Sequence, residues 1–115
     1  MIMFSARIVA HPHERRELVQ ALLSWAAAVR RDDSAAASHI YEDLEVPAVF
    51  AMVTEWKTDA ALESHLRSDA FGVLWGALKV LAQPPRLAIM RAKGEHGTDS
   101  AEEIRRLRGE PEARR

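Results

Sequence analysis

Trp56 and His65 stand nine residues apart in the stretch TEWKTDAALESHL (54–66). The first is a flat apolar wall with one N–H donor, the second a base whose ordinary pKa of ~6.5 suits taking a proton from an acidic phenol. Upstream, SHIYED (38–43) places His39 and Tyr41 on one face of an extended segment, an imidazole beside a phenol. Ser5 and Arg7 alternate along MIMFSARIVA, and Phe50 and Met52 along AVFAMVTEW. These residues outline one chemistry. An electron-rich phenolate or enolate can reduce dioxygen itself, so a protein need only bind it dry, remove one proton and stabilise the anion. His65 or His39 would be the base, and Tyr41, Trp56 or Arg7 would donate to the anion. Phe50, Met52 and Ser5 would complete the wall.

Each residue has a competing structural role. His65 can close the end of a sheet by bonding to Glu55, Asp69 or a backbone carbonyl. Trp56 has the size of a core or interface residue. Arg7 and Arg91 on strand edges need no ligand. The face of the second strand that looks inward decides whether His39 and Tyr41 join a cavity lined by Phe50 and Met52 or lie under helices, where a histidine needs a partner.

Other chemistries find no support. The 115 residues include no cysteine, so thiolate nucleophiles, disulfides and cysteine metal sites are absent. His11 and His13 fall in a turn and His96 in the tail, with no third ligand nearby, and no metal or other cofactor is assigned. There is no glycine-rich phosphate loop, GxSxG elbow or HExxH pair. A net charge of −1 gives no field to attract nucleic acid. The apolar start is interrupted by Arg7, lacks a basic leader and is too short to span a bilayer, so a cytoplasmic, membrane-free location is expected.

The positioning elements follow from periodicity. Ile2 to Ala10 reads as a strand with Ile2, Phe4, Ala6 and Ile8 on one wholly apolar face. After Pro12, Leu18, Leu22, Trp25 and Val29 recur at helical spacing, and Arg30 and Arg31 suit the helix C-terminus. DDSAAA reads as a breaker, SHIYED as strand two and AVFAMVTEW as strand three, joined through 44–47 as an antiparallel hairpin. Thr58 caps a helix from about Asp59 to Arg67, and Ser68-Asp69 signals a bend into a second segment carrying Phe71, Leu74, Leu78 and Leu81. Pro84-Pro85 ends it, and RLAIMRAK is strand four. Residues 94–115 form a charged tail in which Ser100 to Glu103 resembles a capping box for a helix over about 101–108, with Ile104 and Leu107 its large apolar residues. The order β-α-β-β-α-β is the ferredoxin-like α+β arrangement, a four-stranded antiparallel sheet with helices on one side. Strand three is apolar on both faces, so the open face calls for a second cover, economically another copy of the chain.

SHIYED, PAVFAMVTEW and KTDAALESHLRSDAF, with the helix from Leu74 to Leu81 and the last strand, make residues 1–93 resemble the antibiotic biosynthesis monooxygenase family of the dimeric α/β-barrel superfamily. The resemblance implies two sheets pairing into a dimeric α/β barrel. It also implies one cavity per subunit, between the open sheet face and the helices at its mouth, and cofactor-independent oxidation of a small aromatic or quinol substrate. Relatives of the same fold that only bind a ligand, or that degrade haem, are the alternatives. In haem degraders the histidine matching His65 ligates iron, the tryptophan matching Trp56 presses on the porphyrin, and strand one supplies an asparagine. Strand one here offers Ser5 and Arg7 instead.

Overall fold

The computed structural model describes residues 1–91 and 101–111. β1 (Ile2–Val9) leads through a 3-10 turn (Pro12–Glu14) into α1 (Arg15–Arg30). β2 (Ala35–Glu42), β3 (Val49–Trp56), α2 (Asp59–Leu66), α3 (Asp69–Lys79), β4 (Arg86–Arg91) and α4 (Ala101–Leu107) follow. The four strands form one open antiparallel sheet in the order β2-β3-β1-β4. The result is the expected ferredoxin-like α+β domain, with α1, α2 and α3 on one face of the sheet.

Local chemistry explains the boundaries. The Thr58 side chain accepts from the Ala61 N–H at 3.1 Å and opens α2. Ser68 Oγ accepts from the Phe71 N–H at 3.2 Å to open α3, and donates to the His65 carbonyl at 2.6 Å. One serine thus ends α2 and starts α3, which is the expected bend. Before α1, Glu14 accepts from the His11 N–H at 2.7 Å, so His11 belongs to a capping turn.

Three of the element boundaries differ from expectation. β2 begins at Ala35, inside the segment read as a breaker, because Ala35 and Ala37 pair with Trp56 and Glu55 across a bulge. α3 stops at Lys79, ahead of Leu81, the last residue of the expected helical repeat. The tail helix ends at Leu107, one residue short of expectation, and the Ser100 cap proposed for it, like His96, lies outside the described residues.

The core lies between the sheet and the helices. Ile2, Phe4, Ala6 and Ile8 of β1 and Phe50, Met52, Thr54 and Trp56 of β3 point there, against Leu18, Leu22, Trp25 and Val29 of α1 and Leu62, Phe71, Leu74 and Leu78 of α2 and α3. Burial of this apolar area at roughly 25 cal/mol per Å² is the main stabilising contribution. Edge strand β4 is the exception: every residue from Arg86 to Arg91 is exposed, and Leu87 and Ile89 retain 45% and 46% of their surface.

Candidate functional site

The register divides the seven site candidates that lie on strands between the two faces of the sheet, while His65 lies on α2. Directly paired residues share a face. Ser5 pairs with Val53 and Val53 with His39, while Arg7 pairs with Ala51 and Ala51 with Tyr41. Ser5, Arg7, His39 and Tyr41 therefore lie together on the open face, away from the helices. Ile8 pairs with Phe50, Ala6 with Met52 and Ile2 with Trp56, which puts those side chains on the helix face. Neither arrangement left open for strand two is found: His39 and Tyr41 lie neither under the helices nor in one cavity with Phe50 and Met52, although Phe50 borders the same depression as Tyr41.

On the open face, the His39 and Tyr41 rings are 6.1 Å apart, and Arg7, Tyr41, Asp43 and Val49 border a depression of about 280 Å3. Tyr41 is 54% exposed. Asp43 accepts from the Glu45 and Val46 N–H groups at 2.7 and 2.9 Å, and these bonds, Val46 first, hold its carboxyl below the usual range, with Arg7 adding a smaller pull. Phe50 and Met52 fill the core, and the Arg15 guanidinium lies 6.0 Å from the Phe50 ring centre. Arg15 also clasps Glu42 with bonds of 2.7 and 2.6 Å.

His65 is buried at the centre of an aromatic box. Trp25 of α1 donates its indole N–H to His65 Nε2 at 3.1 Å, and the Trp56 ring stacks on the imidazole at 4.5 Å. Phe71 closes a third side at 5.5 Å. Trp56 is wholly buried and donates to Thr54 Oγ1 at 2.8 Å. Burial pushes the His65 pKa below its ordinary value, opposed by a weaker attraction to the Asp32 carboxylate. With Nε2 accepting from Trp25, a neutral ring carries its proton on Nδ1. The imidazole bonds to none of the partners foreseen, Glu55, Asp69 or a carbonyl; its partner is an indole forty residues earlier. An iron bond to Nε2 would first require breaking this contact, so the residues do not fit the haem arrangement.

In front of the box lies a pocket of about 410 Å3 between α2, α3, β1 and β4, lined by Phe4, Leu66, Phe71, Trp75, Leu87, Ala88 and Ile89. Phe71 is shared: one face of its surroundings is His65, the other the pocket. Phe71 and Trp75, one helical turn apart, stack at 5.9 Å, and Phe4 meets Phe71 edge-on at 5.9 Å. The exposed side chains of β4 form the outer wall. Sequence reasoning missed this set. Its available signal was Trp75, an aromatic on the same helical stripe as Phe71, Leu74 and Leu78, together with Leu87 and Ile89 alternating in the last strand. Trp56 and His65 stand behind this wall, where α1 and α2 close over them, rather than at its mouth. Arg91, at the far end of β4, is held by Asp59 through bonds of 3.0 and 2.7 Å. Among the described residues, no three histidine or carboxylate side chains gather as a metal site, and no helix is long and apolar enough to cross a membrane.

A ferredoxin-like sheet with an aromatic-walled pocket beneath two capped helices, and its other face open, defines the class: a small α+β domain with a cavity of small-molecule size. The chain belongs to the antibiotic biosynthesis monooxygenase family, whose model matches residues 1–74. A crystal structure of a conserved protein from Methanosarcina mazei Go1 is similar at 26% identity and a TM-score of 0.74, covering 80% of this chain and 92% of that one. A crystal structure of an antibiotic biosynthesis monooxygenase matches at 19% identity and a TM-score of 0.74, covering 82% and 100%. A Mycobacterium tuberculosis protein matches at 18% identity and 0.73, covering 84% and 98%. The last two likenesses are of fold alone. No curated protein is similar enough in sequence to count as a relative.

Proposed function

We propose that the helix-side pocket binds a small, flat aromatic molecule of the quinol or anthrone type, and that the chain oxidises it with dioxygen without an added cofactor. The observation that carries this reading is the wall formed by Phe4, Phe71 and Trp75, which offers ring faces and edges and almost no polar atoms. Such a wall gives the anion of an electron-rich ring an apolar surface to lie against. For a substrate with an activated methylene, one oxygen atom of dioxygen becomes a ring carbonyl and the other leaves as water with the two hydrogens. The substrate supplies the electrons. His65 contributes through Phe71 in this state, as a support for the wall; service as a base requires its release from Trp25.

That engagement favours a second reading, a non-catalytic binder of the same ligand class. Incubation of the protein with hydroquinones and anthrones, with and without oxygen, separates the two. Oxygen uptake and a product spectrum above the protein-free rate support the oxygenase; saturable binding without uptake supports the binder. Neither binding nor uptake across the panel overturns both.

The same proposal includes a homodimer through the open face, where Met3, Val53 and Met90 join Ser5, Arg7, His39 and Tyr41 on an uncovered sheet. A second copy placed there would enclose the Arg7 and Tyr41 depression and turn two open sheets into a barrel.

A further inference from the structure

The helix-side face of β4 carries apolar side chains, Leu87 and Ile89, that α1 to α3 leave half bare. The pocket against Phe71 continues past Trp75 and Leu87 into a second hollow of about 340 Å3 bordered by Leu78, Leu81, Pro84 and Pro85. The two form one groove along β4, with Lys79 on its rim.

The same chain carries a matching unpartnered surface. On α4, Ile104 and Leu107 are one turn apart and 54% and 70% exposed, and Glu102, Glu103, Arg105 and Arg106 occupy the rest of the helix. A helix of seven residues does not persist alone in water; it needs tertiary contact. We infer that α4 docks in cis, with Ile104 and Leu107 in the β4 groove, as a lid over the aromatic pocket.

Reach, size and charge agree. Nine residues, 92–100, separate Ala101 in sequence from Arg91, itself two residues after Ile89 in the groove, a chain length that spans at most ~30 Å. Two surfaces so close in sequence meet at an effective concentration of the order of millimolar, which favours a contact within the chain over one between copies. A seven-residue helix is ~10 Å long, within the length of strand that β4 exposes. Lys79 has no ion pair among the described residues, nor has Glu102 in the first turn of α4, so the rim offers the helix an opposite charge. The lid role rests on the ligand pocket proposed above; docking itself does not, and is tested without ligand.

The absence of native cysteine makes the test clean. Leu107→Cys is combined with Leu87→Cys in the groove, or with Val73→Cys on the outer face of α3 as a control; all three positions are exposed, so the fold tolerates them. Mild oxidation is followed by non-reducing electrophoresis and peptide mass mapping. The groove pair is expected to close within one chain, at a rate independent of protein concentration and about tenfold faster than the control pair. Adding Ile104→Asp should bring it down to the control rate. Equal rates for the two pairs, no effect of Ile104→Asp, or disulfides formed only between chains with a rate that rises with concentration would each overturn docking in cis.

Discussion

His65 is the residue on which packing and chemistry meet. Its imidazole accepts from Trp25, stacks on Trp56 and touches Phe71, which in turn lines the aromatic pocket. Burial lowers its pKa, so below ~6.5 the unfolded chain binds more protons than the folded one. The contribution of His65 to stability is therefore complete above ~6.5 and is lost as pH falls from there. The lowered carboxylates of Asp32, Glu42 and Asp43 act in a separate, more acidic window. Urea denaturation should show a midpoint falling between pH 7 and pH 5. In His65→Phe that slope should vanish, while stability at pH 7.5 drops by about 1–3 kcal/mol because the buried Trp25 N–H loses its acceptor. An unchanged acid limb in the variant would assign the slope to other groups.

At the scale of elements, Ser68 sets the angle between α2 and α3 and hence the position of the aromatic wall. Ser68→Ala removes the α3 cap and the bond to the His65 carbonyl together, and should cost about 1–2 kcal/mol in thermal or urea unfolding, more than Thr58→Ala, which removes one cap bond. Equal costs would mean that the bond to His65 adds nothing. This junction was legible in the sequence, since Thr58 and Ser68 each precede an acidic residue and an apolar run. The order of elements and the wholly apolar face of β1 were legible for the same reason: they are local patterns. The site was legible only in parts. Ile40 pointing inward does place His39 and Tyr41 outward, but β3 is apolar on both faces, so its pattern alone does not say which face meets the helices. The Trp25 to His65 bond joins α1 to α2 across forty residues, and no local spacing encodes it. The pocket depends on β4 lying at the sheet edge beyond the helices, a property of topology that no single segment carries.

For the whole molecule, the two sheet faces have different work. The helix face holds the core, the imidazole box and the aromatic pocket; the open face holds the polar candidates and is left uncovered by the described helices α1 to α3. Met90 is half exposed at the edge of that open face, opposite Met3, so the isolated domain tolerates a charge there. The proposed dimer does not. Sedimentation at micromolar concentration should give a dimer for the natural chain and a monomer for Met90→Asp, with helical content retained. A natural chain that sediments as a monomer would remove the partner from the account.

The central claim is that an aromatic ligand sits on the helix side, against Trp75, and not on the open face beside Tyr41. Its most direct test is calorimetric titration of an anaerobic naphthohydroquinone into the natural chain, Trp75→Ala and Tyr41→Phe. The account expects Trp75→Ala to weaken binding about tenfold, the loss of roughly 1–1.5 kcal/mol of ring stacking, and Tyr41→Phe to leave affinity unchanged. Unchanged affinity in Trp75→Ala with a tenfold loss in Tyr41→Phe would contradict it and place the ligand on the open face.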